Sequence, residues 1–240
     1  MGLNFEGAQW VFKKASYTLF QLATRRNNIG STLREVKEFC SRIIVVDDGS
    51  RDDTAAEAEA GGARVVFHGR SRGVGAALKT GLKEALKLSH VEYVVTLDAD
   101  GQHDPSDIPR LLKPLIEGKA DMVIGSRLLT EPSSMPRHRL LANKLLSWLT
   151  TKACGLKVSD SQSGFRAYNR RAVETLLNGF RENYSWASSV VIESARRGLK
   201  VAEVPIEAIY FKGSSTGAGL RVMLRILFFL LSEVFLQGFR

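Results

Sequence analysis

The sequence predicts an α/β domain built on a mostly parallel sheet with helices on both faces, and three observations carry that expectation. Short apolar runs rich in β-branched residues recur along the chain. Longer segments with apolar residues three to four apart separate them. Continuous apolar strands joined through helices belong to parallel sheets buried on both sides. The length, 240 residues, suits one domain with a full core.

The elements follow in order. Arg42–Asp47 (RIIVVD) reads as a buried strand, as do residues 63–67 (ARVVF), 92–97 (EYVVTL) and 121–124 (DMVI). Between them, residues 29–39 place Ile29, Leu33, Val36 and Phe39 at helical spacing, and residues 74–88 do the same with Leu78, Leu82, Ala85 and Leu86. The Asp-Pro-Ser-Asp turn at 104–107 opens a helix running to Ile116. Residues 140–151 are expected to be helical, 163–169 a polar loop or strand, and 188–197 a helix capped by Gly198. Residues 201–210 alternate like a short strand pair around Pro205, and residues 220–236 form a strongly apolar helix. In open sheets of this kind, ligands bind beyond the carboxyl ends of the strands, so chemistry is expected there.

Composition narrows the partners. Charged residues at 25% and hydrophobic residues at 44% exclude a disordered chain. The 34 basic against 25 acidic residues give a net charge of +9, which favours a polyanionic partner. No zinc pattern, RNA-recognition signature or arginine-rich tail is present, so nucleic acid is not the expected one. Cys40 and Cys154 stand far apart, which argues against a disulfide framework and for a reducing compartment. Lys13 and Lys14 interrupt the only apolar start, so no secretory signal is expected. No run of about 20 apolar residues exists to span a bilayer.

The motifs sit at strand ends. Asp47-Asp48-Gly49-Ser50 follows the first buried strand, where an acidic residue suits hydrogen bonds to a base or ribose and equally suits a helix cap. Asp98 and Asp100 follow the strand at 92–97 at a spacing that points both carboxylates the same way. Two such carboxylates repel unless a cation lies between them, and oxygen ligands select Mg²⁺ or Mn²⁺. Gln102 adds a neutral oxygen. Arg127 ends the strand at 121–124, where a guanidinium can grip a phosphate with two parallel bonds. Gly73-Val74-Gly75 lacks the third glycine of a dinucleotide fingerprint, and no P-loop occurs; a glycine-rich helix start can still approach a phosphate closely.

Taken together, the pieces VVDDGSRDDT, RGVGAALKTGL, LDADGQHDP, DMVIGSR, VSDSQSGFRAYNR and VAEVPI resemble, in that order, a family 2 glycosyltransferase of the GT-A fold. The likeness runs from about residue 28 to 215 and is nearest to the polyprenyl-phosphate (dolichyl-phosphate) mannosyl- and glucosyltransferases. The resemblance implies a GT-A domain over 17–218, preceded by an atypical 1–16 and followed by an apolar helix in 219–240. It implies that Asp48 contacts the nucleotide, that Asp98, Asp100 and Gln102 hold metal and sugar diphosphate, and that Arg127 and Arg139, with Arg137 beside them, take the acceptor phosphate. Asp160 and Gln162 would lie near the transferred sugar, with Asp160 a candidate base. The family opens with an apolar strand, which the resemblance puts at 17–22 here; one departure stands out, in that the acidic residue family members carry after it is replaced by Arg25 or Arg26.

The activity so implied is inverting transfer of mannose or glucose from a nucleoside diphosphate sugar to a polyprenyl phosphate. A phosphate acceptor is ionised near neutral pH, so the protein must chiefly align and neutralise it. Arg127 is the first expectation for that task, with Arg137 and Arg139 next; His103 is expected to support the metal loop. The helix at 220–236, with Arg221 and Arg225 one turn apart, suits a membrane interface or a core or dimer contact. Residues 133–157 hold Arg137, Arg139, Lys144, Lys152 and Lys157 and no acid, which suits anionic lipid heads. A chain attached peripherally to the cytoplasmic membrane face is therefore expected. Two other readings stay open: a haloacid-dehalogenase-like phosphohydrolase and a nucleotide-sugar-binding relative without turnover.

Overall fold

The structure, a computed structural model, describes residues 17–23, 29–98, 102–130, 135–207, 209 and 220–237. Residues 1–16, Arg25, Arg26, Asp100 and the part of the tail before Leu220 lie outside them. The strands are β1 (Tyr17–Ala23), β2 (Arg42–Asp47), β3 (Arg64–Phe67), β4 (Tyr93–Asp98), β5 (Met122–Ser126), β6 (Arg166–Asn169) and β7 (Val201–Pro205). The helices are α1 (Ile29–Val36), α2 (Thr54–Ala60), α3 (Val74–Leu86), α4 (Ile108–Ile116), α5 (Arg137–Cys154), α6 (Arg170–Leu176), α7 (Trp186–Arg196) and α8 (Leu220–Gln237).

One sheet holds all seven strands in the order β3-β2-β1-β4-β6-β5-β7. Pairing is parallel except around β6, which runs antiparallel to both β4 and β5. The opening strand expected at 17–22 is central, in register with β2 (Leu19 beside Ile43) and with β4 (Leu19 beside Val95). The apolar runs are explained by burial on both faces. Ile43 and Val45 pack with Leu33, Leu111 and Leu112 of α1 and α4, whereas Ile44 and Val46 pack with Leu78, Leu82 and Val190 of α3 and α7. Each such side chain, fully buried, contributes roughly 1.5–3 kcal/mol.

Several boundaries differ from the sequence reading. Among the described residues of 201–210 the one strand is β7, which ends at Pro205, and Ile206 N–H donates back to the Ser126 carbonyl at 3.0 Å; residues 208 and 210 lie outside the described residues. The 104–107 turn is a 3₁₀ turn over Pro105–Asp107, capped by the Asp104 side chain accepting from Ser106 N–H at 2.8 Å. α5 starts at Arg137, directly after Pro136, and so brings Arg137 and Arg139 into its first turn. Gly198 does follow α7, at φ +65°.

A third core joins α5, α7 and α8 through Leu146, Leu149, Ala153, Ile192, Ile226, Phe229 and Leu230. Buried Glu233 of α8 is ion-paired with Arg196 of α7. The tail helix is thus a packed element on one side. On its other side Leu224, Phe228, Leu231 and Phe235 are exposed, and α5 exposes Leu141, Leu145 and Trp148. Among the described residues no helix is long and apolar enough to cross a membrane.

Candidate active site

β4 ends at Asp98 and β5 ends one residue before Arg127, and β6 begins between them at Arg166. Because β6 is antiparallel, its start lies at the edge where β4 and β5 finish. The 159–165 turn therefore enters the site between the two strand ends.

Asp98 is held closely by that turn. A Cβ placed on Gly164 would stand 2.5 Å from Asp98 Oδ2 and 3.0 Å from its Cγ, so only glycine leaves the carboxylate where it is. Thr96, two residues earlier on β4, donates its hydroxyl to the Gly164 carbonyl at 2.9 Å. Gln102 is buried, and its carbonyl accepts from Ile209 N–H at 2.9 Å. Asp100 lies between these two and outside the described residues. In sequence, a carboxylate at Asp98 and a carboxamide at Gln102 flank Asp100, and side-chain oxygens of these kinds are ligands that Mg²⁺ and Mn²⁺ accept.

Arg127 and Asp160 are brought together, but with each other. Arg127 Nε donates to Asp160 Oδ2 at 2.7 Å, Nη2 donates to Oδ1 at 2.9 Å, and the Arg127 backbone N–H donates to Oδ2 at 3.1 Å. Asp160 is fully buried. Burial pushes its pKa up, but the Arg127 charge and hydrogen bonds outweigh this and hold the carboxyl below its ordinary value. Both Asp160 oxygens thus accept from Arg127, and two of the Arg127 side-chain nitrogens donate to Asp160. Glu203 of β7 holds the pair from behind, accepting from Ser159 N–H at 2.8 Å, Ser159 Oγ at 2.9 Å and Asp160 N–H at 3.1 Å.

Asp48 is likewise engaged. Its carboxylate accepts from Arg72 N–H, Gly73 N–H and Ser71 Oγ, each at 2.8 Å, and lies 2.7 Å from His68 Nδ1. Burial alone would raise its pKa, but these bonds lower it. These bonds fix the 71–73 loop on the end of β2. At the glycine-rich start of α3, a Cβ on Gly75 would lie 2.5 Å from the Glu182 carbonyl oxygen, whereas one on Gly73 would meet nothing within 4 Å.

Gln162 Nε2 donates to Ser161 Oγ at 2.9 Å and Ser188 Oγ at 2.7 Å, which ties the turn to α7. Arg139 is half-buried and Arg137 exposed, both at the start of α5. His103 is buried and stacks on Phe165, with ring centroids 5.2 Å apart. Burial first, then the nearby Arg127 charge, pushes its pKa down to about 3, so the ring is neutral at neutral pH. A cavity of about 370 Å³ opens beside it, between α1 and the 103–105 loop.

The sequence reading missed Arg166. This guanidinium is fully buried, stacked over Trp186 at 5.1 Å, and it donates to the carbonyls of Ser163 (2.8 Å), Ser161 (2.8 Å) and Ala187 (3.0 Å). It shapes the turn that carries Asp160, Gln162 and Gly164. Glu203 and Gly164 were quoted in motifs without a role; an ionisable residue inside an otherwise apolar strand was the available signal for Glu203.

Residues 24–177 match the family model described as Glycosyl transferase family 2. An uncharacterised Methanocaldococcus jannaschii protein is 39% identical over 210 residues, covering 85% of this chain and 86% of that relative. The UDP-N-acetylglucosamine–dolichyl-phosphate N-acetylglucosaminyltransferase of Methanococcus voltae is 34% identical, covering 80% of this chain and 86% of that one. The polyprenol monophosphomannose synthase of Mycolicibacterium smegmatis is 33% identical, covering 75% and 72%. In fold, the chain is similar to glucosyl-3-phosphoglycerate synthase from Mycobacterium tuberculosis, with a TM-score of 0.73 and 22% identity over 98% of this chain and 85% of that one.

Proposed function

We propose, for a chain that belongs to glycosyltransferase family 2, the metal-dependent transfer of a hexose from a nucleoside diphosphate sugar to a polyprenyl phosphate at a membrane surface. The observation that carries this reading is the Asp98 carboxylate, set against Gly164 at the carboxyl end of β4. The activities for which the Methanococcus voltae and Mycolicibacterium smegmatis relatives are named support the acceptor class.

Asp98, Gln102 and Asp100 would hold Mg²⁺ or Mn²⁺, which supplies positive charge against the departing diphosphate. The chain's own residues do the rest. Asp160 locks the plane of the Arg127 guanidinium, so that this charge is oriented before any ligand arrives. The Arg127–Asp160 pair carries no net charge. Attraction for the acceptor phosphate then falls to Arg139 and Arg137 at the start of α5. The acceptor oxygen is already ionised, so no residue needs to remove a proton from it. Exposed apolar side chains of α5 and α8 would rest in the lipid interface and present the acceptor end to the strand edge. The setting is peripheral, on the cytoplasmic membrane face.

The test is incubation with Mn²⁺, polyprenyl phosphate and a panel of GDP-mannose, UDP-glucose and UDP-N-acetylglucosamine, with lipid products read by mass spectrometry. A lipid-linked hexose that Asp98→Ala abolishes is the expected outcome. Nucleotide-sugar binding without any lipid-linked product would replace transfer with the non-catalytic reading.

A further inference from the structure

Between α8 and residues 181–185, which lead into α7, lies a groove of about 630 Å³ that none of the transfer chemistry uses. Tyr184, Leu224 and Phe228 form its apolar sides, and Arg181 and Arg225 face into it. Phe228 is 76% exposed, Leu224 54% and Tyr184 53%, so the mouth is apolar and open. It is continuous along α8 with exposed Leu231 and Phe235. The Arg181 guanidinium lies over the Phe229 ring, 4.9 Å from its centroid. The acids nearest in sequence are engaged elsewhere, Glu182 with Lys79 at 2.7 Å and Glu233 with Arg196. Among the described residues, neither Arg181 nor Arg225 has a carboxylate partner.

We propose that this groove seats the headgroup phosphate of an anionic bilayer phospholipid, with the glycerol and first chain carbons against Leu224, Phe228 and Tyr184. The inference rests on the membrane-surface part of the proposed function. Two uncompensated guanidiniums beside aromatic walls match an anion that carries its own apolar chain. A purely apolar ligand would leave two cations desolvated and unpaired. A free phosphate would leave the aromatic sides wet. The negative potential of an anionic leaflet strengthens the match, because each arginine at the surface adds attraction. A lipid held here anchors α8 at one point, next to the apolar stripe that enters the interface.

Two measurements test it. Flotation with vesicles of phosphatidylcholine, alone or mixed with phosphatidylglycerol, compares the full chain with Arg181→Gln/Arg225→Gln. A Lys113→Gln/Lys119→Gln variant loses the same net charge on the opposite face of the sheet. The groove variant is expected to lose the preference for phosphatidylglycerol by roughly tenfold, and the lysine variant to keep it. Calorimetric titration with dihexanoyl phosphatidylglycerol, below its micellar concentration, probes the groove without a membrane, and inorganic phosphate is the parallel probe. Saturable lipid binding, weakened by Arg225→Gln alone, supports the site, and this surface change touches no buried group. Equal lipid affinity in wild type and groove variants overturns it, as does inorganic phosphate binding as tightly as the lipid. Short-chain lipid binding without any vesicle binding would support the groove and remove the membrane-surface reading.

Discussion

A single methyl group at position 164 would stand 2.5 Å from the carboxylate at the heart of the site. Gly164→Ala must therefore move Asp98 or the turn. Metal affinity in the presence of a nucleoside diphosphate, read by calorimetry with Mn²⁺, is expected to fall roughly ten- to hundredfold while far-ultraviolet circular dichroism is unchanged. Unchanged affinity would show that Asp98 does not bind the ion. The Arg127–Asp160 pair makes a second prediction. Removing one partner leaves the other charge unpaired in a buried place, so Arg127→Ala should cost about 3–5 kcal/mol in urea unfolding. Asp160 and Asp48 both have depressed pKa values, so their pairings stabilise the fold fully above about pH 4, the ordinary carboxylate value, and lose that contribution as pH falls through the folded value. The stability gap between wild type and Asp160→Asn should accordingly close in acid, measured by urea midpoints across pH. Asp98, Arg127 and Asp160 were legible in the sequence because each stands at a strand end or in a motif. Gly164, Arg166 and Glu203 were not, because their tasks consist of contacts with residues far along the chain, such as Thr96 and Ser159.

Among the elements, α8 divides its apolar residues between two destinations. Phe229 and Leu230 are buried against α5 and α7, and Phe228 next to them is exposed. Phe229→Ala is expected to cost about 3 kcal/mol or more in thermal or urea unfolding. Phe228→Ser should leave stability within about 0.5 kcal/mol of wild type and weaken flotation with vesicles. If both changes destabilise equally, the outer face is covered in solution and does not meet lipid. The apolar composition of this segment was plain in the sequence; core packing describes one side of the helix, and the other side is exposed. Short elements were the ones that periodicity could not supply. α2 and α6 are seven residues each, under two turns, and β6 is four residues of mixed polarity. The strand at 201–205 was overextended because Pro205 was read as a turn between strands, whereas it ends one.

Over the whole molecule, the alternation of apolar strands and helices pointed to a mostly parallel sheet covered on both faces, and the resemblance added the GT-A fold and the family; the match to that family also removes the phosphohydrolase reading. The basic excess has a place on the α5 side, where Arg137, Lys144 and Lys152 are exposed beside Leu141, Leu145 and Trp148. A chain carrying Lys144→Glu and Lys152→Glu should keep its unfolding midpoint and bind anionic vesicles less, with the loss shrinking as salt is raised. The antiparallel position of β6 was invisible in the local pattern, because strand order is decided by pairing across long separations.

That position carries a consequence for how the chain is made. β5 does not pair with β4; its route into the sheet is through β6, and β7 in turn joins through β5. A ribosome delivers β5 some forty residues before β6, from Met122 to Arg166. During that interval β1 to β4 can assemble, while β5 waits without a neighbour and Asp98 waits without Gly164. A nascent chain halted before Arg166 would therefore hold half a sheet and no organised metal-binding edge, and the centre would come together in one late step, when the 159–165 turn threads β6 between two strands already made.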